Sequence, residues 1–453
     1  MKAKWKKGLS LFLCTLTVLS VGGCGRKEYF FSDYANGEEM YLGVFSSPLP
    51  NQESYDECAA AGYNHVLMDE TFDNIRGSAL QEQTLQYCKN SGITAFVMAS
   101  NFQNTHDNTA DNTNYGRFDA YGGSFFYDEP YPNSFDYIAD AIPEFEQKYP
   151  DKTFMVNLHP CMVFLAETPE CNYNGKQYTY EEYLEEFKTK VLDKLSGTKM
   201  LSVDIYPLID GNGRDHRILQ EYLYNLEATA KVARGTDLMT HYYILTHGHG
   251  ATRAITSVAD INYQYYTAMA YGVKGFSCFT YKQQKGSDGL GNDFEGFDGL
   301  VNWDITEKGV TSYTTDIYDY AKEANKNLKS FENVYLAFNW QKTMAVSGSE
   351  SGEKNACYAM LTENATELDG MSSISATQDT LVGYFVDGNN TKGYMVTNFS
   401  EPSKGLTDKV KLELEDCSKV RIYQGGEMKE LKPRNGKVEL TLSAGEGAFV
   451  LAI

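Results

Sequence analysis

Eight short apolar runs, each followed by a stretch of helical period, fill residues 40–330 and constrain the fold more than any other feature of the chain. The runs are Tyr41–Phe45, His65–Met68, Thr94–Met98, Gly123–Tyr127, Thr153–Asn157, Met200–Ile205, Tyr242–Thr246 and Val273–Phe279. Strands that alternate with helices make βα units around a parallel sheet, and eight of them are the number that closes a barrel. The helical stretches carry their own punctuation. Ser54-Tyr-Asp-Glu57 and Thr179-Tyr-Glu-Glu182 fit the capping box. Gly62, Gly92, Gly197 and Gly272 stand where a helix should stop before the next strand. An open, doubly wound sheet would carry a Gly-rich phosphate loop after a strand, and none is present.

Beyond Ser330 the period changes. Short alternating runs follow one another at Thr343–Val346, Cys357–Leu361, Leu381–Val386, Gly393–Asn398, Val410–Leu414, Lys419–Tyr423, Lys437–Leu442 and Ala448–Ile453. Turn formers such as Asp387-Gly388 and Asn435-Gly436 separate them, with no helical stretch between. The predicted fold is therefore α/β: a (β/α)8 TIM barrel over residues 40–330, then a C-terminal antiparallel β-sandwich over 335–453. The sandwich is expected to pack on the barrel as an accessory domain.

The N-terminus predicts the compartment. Lys2, Lys4, Lys6 and Lys7 precede an apolar run from Leu9 to Val21, about 13 residues, too short to span a bilayer but right for a signal-peptide core. It ends in Val21-Gly22-Gly23-Cys24, which looks like a bacterial lipobox. Residues 1–23 are then a leader, Cys24 the lipidated first residue, and 24–39 a tether holding the protein to the outer face of the membrane. No later stretch approaches 18 consecutive apolar residues, so the lipid is the expected membrane attachment. With 61 Asp and Glu against 40 Lys and Arg, the formal net charge is −21. Such a surface repels DNA and RNA and is indifferent to a neutral substrate.

Of nine cysteines, Cys14 leaves with the leader and Cys24 takes the lipid, so an odd number remains. No CxxC pair and no Cys/His spacing suggests zinc. Cys58, Cys88 and Cys278 read as small core residues, while Cys161 and Cys171 share one loop and could pair. No metal or cofactor is expected, and the protein is expected to be a monomer.

In a barrel of this kind the chemistry sits where the strands end at their C-termini. Strand 4 ends in Tyr127-Asp128-Glu129-Pro130. Two adjacent carboxylates repel, so one of them should have a raised pKa, which suits a general acid; the bland alternative is that Glu129 merely starts a loop. Strand 6 ends in Ser202-Val-Asp204-Ile-Tyr206-Pro207, whose alternation puts Ser202, Asp204 and Tyr206 on one side. Strand 7 leads into Thr246-His247-Gly248-His249-Gly250. Two histidines one residue apart can hold a metal, but no third ligand stands at a fitting spacing, so hydrogen bonds to ligand hydroxyls are the better reading. His159, at the end of strand 5, joins them as a candidate. The aromatics that close strand 8, Phe276, Phe279 and Tyr281, with Tyr121 and Tyr131 near strand 4, are candidates to stack on sugar rings, although with 34 Tyr and 24 Phe most aromatics must be core.

Together these segments resemble the TIM-barrel glycoside hydrolases related to clan A. Tyr127-Asp-Glu-Pro130, Asp204-Ile-Tyr-Pro207 and Asn262–Gly275 carry the resemblance, the last being similar to the passage into strand 8 of family 42-like β-galactosidases. Leu442–Phe449 is similar to the final strands of their C-terminal sandwiches. The resemblance implies a carbohydrate substrate and Glu129 as general acid/base. It also exposes a departure, since those enzymes place a nucleophilic Glu at the end of strand 7, where this chain reads Thr-His-Gly-His-Gly. Three readings stay open. Asp128 and Glu129 could act together, as in the similar Asp-Glu pair of glycoside hydrolase families 20 and 123, where the 2-acetamido group of the substrate is the nucleophile. Asp204 could instead supply the second carboxylate; strands 4 and 6 lie roughly 10 Å apart at ~4.8 Å per strand, nearer to an inverting than to a retaining separation. Or the chain could be a surface lipoprotein that binds sugar without cleaving it.

Overall fold

A computed structural model describes residues 39–68, 79–98, 115–211, 215–248, 251–283, 298–306, 309–352 and 354–453. The leader with Cys24, and His249, lie outside the described residues. Eight parallel strands close a barrel: β1 (Tyr41–Phe45), β2 (His65–Met68), β3 (Thr94–Met98), β4 (Tyr121–Asp128), β5 (Thr153–Leu158), β6 (Met200–Asp204), β7 (Met239–Leu245) and β8 (Gly275–Phe279). Each is hydrogen-bonded to its neighbours in sequence, and β8 closes on β1 through Tyr41 opposite Gly275.

Helices α1 (Gln52–Ala60), α2 (Ala79–Asn90), α3 (Phe135–Lys148), α4 (Tyr180–Lys190), α5 (Tyr222–Ala233), α6 (Val258–Met269) and α7 (Asp316–Lys329) follow strands. Thr179 and Glu182 make the expected capping box on α4. At α1 the cap is Asn51, whose side chain accepts from the Ser54 N–H, so the helix begins earlier than the Ser54–Glu57 pattern suggested. Gly62, Gly92 and Gly272 take positive φ after α1, α2 and α6, the left-handed turn that glycine adopts without strain.

The sandwich contains β9 (Asn339–Val346), β10 (Met371–Ser375), β11 (Thr380–Val386), β12 (Lys392–Asn398), β13 (Asp408–Leu414), β14 (Val420–Gln424), β15 (Glu427–Leu431), β16 (Lys437–Leu442) and β17 (Gly447–Ala452). They form one antiparallel sheet of order β9-β11-β12-β17-β14-β15 and a second of order β10-β13-β16. Between the sheets lies a core of Val382, Val396, Val410, Leu412, Val438, Leu440 and Val450. Two strands escape the sequence pattern. Met-Ser-Ser-Ile-Ser and Glu-Met-Lys-Glu-Leu are largely polar because both are edge strands with little to bury. Conversely, Cys357–Leu361, expected as a strand, is a 3-10 turn over Ala356–Met360, started by the Asn355 side chain accepting from the Cys357 N–H.

Barrel and sandwich share apolar interior. Phe385, Met395, Tyr423, Phe449 and Leu451 belong to the same continuous core as the barrel helices, with Phe331, Tyr335 and Phe338 between. Gly383 of β11 lies so close to the end of α6 that a Cβ there would sit 2.1 Å from the Ala270 carbonyl oxygen. Polar clamps add to the seam. Arg253, buried after β7, bonds Asp260 on α6 (2.5 Å) and Glu401 of the sandwich (2.7 Å). Glu227 on α5 accepts from Thr362 N–H and O–H, each at 2.7 Å.

Candidate functional site at the mouth of the barrel

Inward-pointing residues of the strands fill the barrel in layers. Most of the lower ones are apolar or aromatic: Leu67, Phe96, Phe125, Met155 and Met200, with Tyr41 and Tyr243. Going up β4, simple alternation from Phe125 would turn Tyr127 inward and Asp128 outward. A β-bulge prevents this. Phe125 pairs with Met155 and Tyr127 with the very next residue, Val156, so Phe126 is an extra residue. Phe126 and Tyr127 both lie towards the helices, Phe126 fully buried against Phe154. Asp128 is thereby delivered to the interior side, opposite Asn157.

Asn157 then gathers the acids. Its amide nitrogen donates to Asp128 Oδ1 at 3.3 Å and to Asp204 Oδ1 at 3.2 Å. The strands carrying them are two spacings apart, but both side chains lean in to one nitrogen, which confines these oxygens to within about twice that bond length. The repulsion expected of the Asp-Glu pair falls on Asp128. Its carboxyl is pushed up to about 6, first by the protein that displaces bulk water around it and then by Glu129, against the opposing pull of Asn157 and His159. The residue still presents surface to solvent, so it is reachable from the mouth. Asp204 lies deeper. Burial, reinforced by Glu129 and Asp128, raises its carboxyl well above the usual carboxylate range.

Glu129 ends the strand in a left-handed conformation, φ 51°, which costs a non-glycine residue roughly 1–2 kcal/mol. The turn is held on both sides. The Glu129 N–H donates to the Asn157 carbonyl at 2.8 Å, and the Tyr183 hydroxyl of α4 donates to the Pro130 carbonyl at 2.8 Å. That hydroxyl also accepts from the His159 N–H at 3.3 Å, tying the two loops together. Glu129 Oε1 stands 3.6 Å from His159 Nδ1. His159 is buried beneath Tyr131, ring centroids 4.4 Å apart, and neither ring nitrogen makes a hydrogen bond within the protein.

Above Asp204, Tyr206 stacks on Phe279 at 5.7 Å. Phe45 and His247 lie against the same Phe279 ring at 5.3 and 5.1 Å. The structure thus brings together Asp128, Glu129, Asp204, His159, Tyr131, Tyr206 and His247. Tyr281 is a correction: its ring is buried in the outer core beside Cys58, because the chain leaves the barrel at Phe279 and alternation ends with the strand; Tyr121, packed on Tyr149, and Phe276, packed on Tyr265, are buried in the same outer core and face away from the mouth. The inward aromatic is Phe279. Cys161 and Cys171 are separate, buried thiols. Among the described residues no cluster of three or more metal-ligating side chains forms. No described helix is long and apolar enough to cross a membrane. A cavity of about 570 Å3 between barrel and sandwich, lined by Arg217, Glu221, Asp379 and Phe399, contains none of these groups.

Asn157 and Tyr183 were not singled out in the sequence. The signal for Asn157 was available: a polar residue on the inward side of a buried strand.

No protein-family model matches the chain, and no curated protein is significantly similar to it. Among solved structures, a glycoside hydrolase shares 12% identity over 91% of this chain and 92% of its own, with a TM-score of 0.47. A glycoside hydrolase family 5 protein from Bacteroides vulgatus gives 12%, 91%, 89% and 0.48. A β-galactosidase from the psychrophilic Marinomonas ef1 gives 8%, 65%, 60% and 0.42. Fold does not transfer chemistry at this distance; the chemistry has to come from the residues at the mouth.

Proposed function

We propose that this chain is a glycoside hydrolase of the bacterial cell surface, cleaving a glycan whose sugar carries a 2-acetamido group. The observation that carries this reading is the placing of three carboxyl groups at one barrel mouth, one ionisable and reachable, one set deeper, one on a fixed turn. Asp128, ionised above about pH 6, would accept a hydrogen bond from the acetamido N–H and turn its carbonyl oxygen towards the anomeric carbon. That oxygen attacks, the glycosidic C–O bond breaks, and Glu129 gives its proton to the departing oxygen. Water then opens the cyclic intermediate, returning its proton to Glu129. Asp204 is the weaker candidate for the base of an inverting pair, because burial favours its neutral form and it lies deeper than Asp128. Its supported role is to share the Asn157 amide with Asp128 from beneath. Tyr131, Tyr206 and Phe279 offer ring faces, and His159 and His247 offer imidazole nitrogens, to the sugar.

The test is a panel of aryl glycosides with and without the 2-acetamido group. Cleavage restricted to 2-acetamido sugars supports the reading; equal cleavage of both sets returns the second carboxylate to Asp204. Binding of glycans with no cleavage of any would make the chain a sugar-binding lipoprotein.

Acidity gives a second expectation. The folded protein holds the Asp128 proton more tightly than an unfolded chain with an ordinary aspartate, so ionising it costs stability and stability falls as pH rises from about 4 through 6. Activity runs the other way and should be lost below about pH 6. Asp128→Asn should therefore raise the melting temperature at pH 7 while abolishing turnover. An acid limb unchanged in that variant, or an unfolding curve indifferent to pH between 4 and 7, would count against the assignment.

For the location, Cys24→Ser should release the protein into the medium, because the lipobox-like Val-Gly-Gly-Cys is the expected anchor. Retention of the processed variant in the membrane fraction would refute lipid anchoring.

A further inference from the structure

Beneath the carboxylates a line of polar side chains crosses the apolar barrel. Asn157 Oδ1 accepts from the Ser202 hydroxyl at 2.9 Å. Ser202 Oγ lies 2.8 Å from His241 Nδ1, and His241 Nε2 lies 2.9 Å from Ser277 Oγ. Ser277 in turn hydrogen-bonds Tyr41. Ser202, His241 and Ser277 are all buried, on β6, β7 and β8. Such a line would be costly in a barrel interior unless every member were satisfied.

We infer that this line is a one-way chain of hydrogen bonds that fixes the Asn157 amide with its NH2 towards Asp128 and Asp204, making Asn157, Ser202 and His241 positioning residues for the acidic site. The inference rests on the glycosidase reading for its purpose but not for its geometry. The direction follows from counting protons. Ser202 has one hydrogen and spends it on the Asn157 carbonyl, so towards His241 its oxygen can only accept. His241 Nδ1 must then carry the ring proton. Burial pushes the His241 pKa down to about 3, so the ring is neutral and has one N–H. Nε2 is left to accept from Ser277, whose oxygen accepts from Tyr41. Every donor points towards the acids. A flipped Asn157 would turn its carbonyl towards the Asp128 carboxylate, and the line could follow only by reversing every hydrogen bond along it.

The arrangement matters because the Asn157 bond is the contact that most offsets the rise in the Asp128 pKa, His159 being the lesser. Around that carboxyl stand Glu129 from its own strand, His159 and Asn157 from β5 and its loop, Asp204 and Tyr206 from β6 and its loop, and Tyr243 from β7. Freeing the amide to flip removes the donor for part of the time and moves the Asp128 pKa up.

Two measurements test this. Imidazole 15N shifts of the resting protein, with His241 assigned by His241→Gln, should show protonated Nδ1 and bare Nε2, the reverse of the tautomer that free neutral histidine favours in water. Ser202→Ala should shift the acid limb of kcat/KM upwards by several tenths of a pH unit and lower kcat at pH 7 with little change in KM. Ser202→Thr, which keeps the hydroxyl, should restore both. If the protein cleaves no glycoside, the Asp128 carboxyl 13C shift reports the same titration, so failure of the function and failure of the chain are separable. An Nε2–H tautomer overturns the inference whether or not Ser202→Ala folds, and so does an Asp128 titration unmoved in folded Ser202→Ala.

Discussion

Glu129→Gln is expected to slow cleavage of glycosides with poor leaving groups by about 10²–10⁴-fold, the usual contribution of a positioned acid. Glutamine keeps the length and one acceptor oxygen but has no proton to give. The Glu129 backbone is held by its own N–H to Asn157 and by Tyr183 on Pro130, and neither contact involves the side chain, so the turn should survive the change. Binding should also survive, because the rings of Tyr131 and Tyr206 and the imidazole of His159 stay in place. Leaving groups that depart without protonation should lose far less, and this difference identifies an acid rather than a binding group. Equal losses across leaving groups would assign Glu129 to binding. Wild-type rates on poor leaving groups would remove it from the mechanism.

The second large effect is on stability. Arg253→Met should destabilise the folded chain by about 3–5 kcal/mol, the cost of leaving buried charges without their partner. The guanidinium is almost wholly enclosed and serves Asp260 and Glu401 together. Asp260 keeps other donors, the N–H groups of Thr256 and Ser257 and the Thr256 hydroxyl, whereas Glu401 retains the nearby Ser403 hydroxyl. Adding Glu401→Gln to Arg253→Met should therefore recover a substantial part of the loss in urea unfolding. A single variant within 1 kcal/mol of wild type would show the triad to be structurally idle. Because the barrel and sandwich share apolar core, the loss should appear as an earlier single transition. A split curve would mean that the two parts unfold independently.

Much of this molecule was legible in its sequence, for identifiable reasons. The barrel strands are apolar on both faces and bounded by capped helices and glycines, and each signal is local; His65–Met68 and Thr94–Met98 end where the runs end. The Asp128-Glu129 pair stood out because adjacent acids at a strand end are unusual in chemistry, not because of any distant contact. What stayed hidden depends on partners far away in the chain. Nothing near Asn157 says that its amide joins residues 128 and 204, and nothing near Asp204 says that it is the buried member of the three. Tyr281 misled because an aromatic just past a strand can turn either way, and only the packing of Cys58 against it decides. The bulge at Phe126 leaves no local mark, since two successive aromatics suit a strand whose far side is also packed.

That bulge makes β4 a strand of mixed parity. Just below it, Gly123 and Phe125 face the barrel axis; above it, even-numbered residues do, and Asp128 falls in the second group. A one-residue deletion elsewhere in the strand would exchange inside for outside on one flank and either empty the core or turn the acid away. Losing Phe126 or Tyr127 alone would restore a regular ladder with Asp128 still facing in. The length of the strand at this position can therefore change without disturbing which residues meet the substrate.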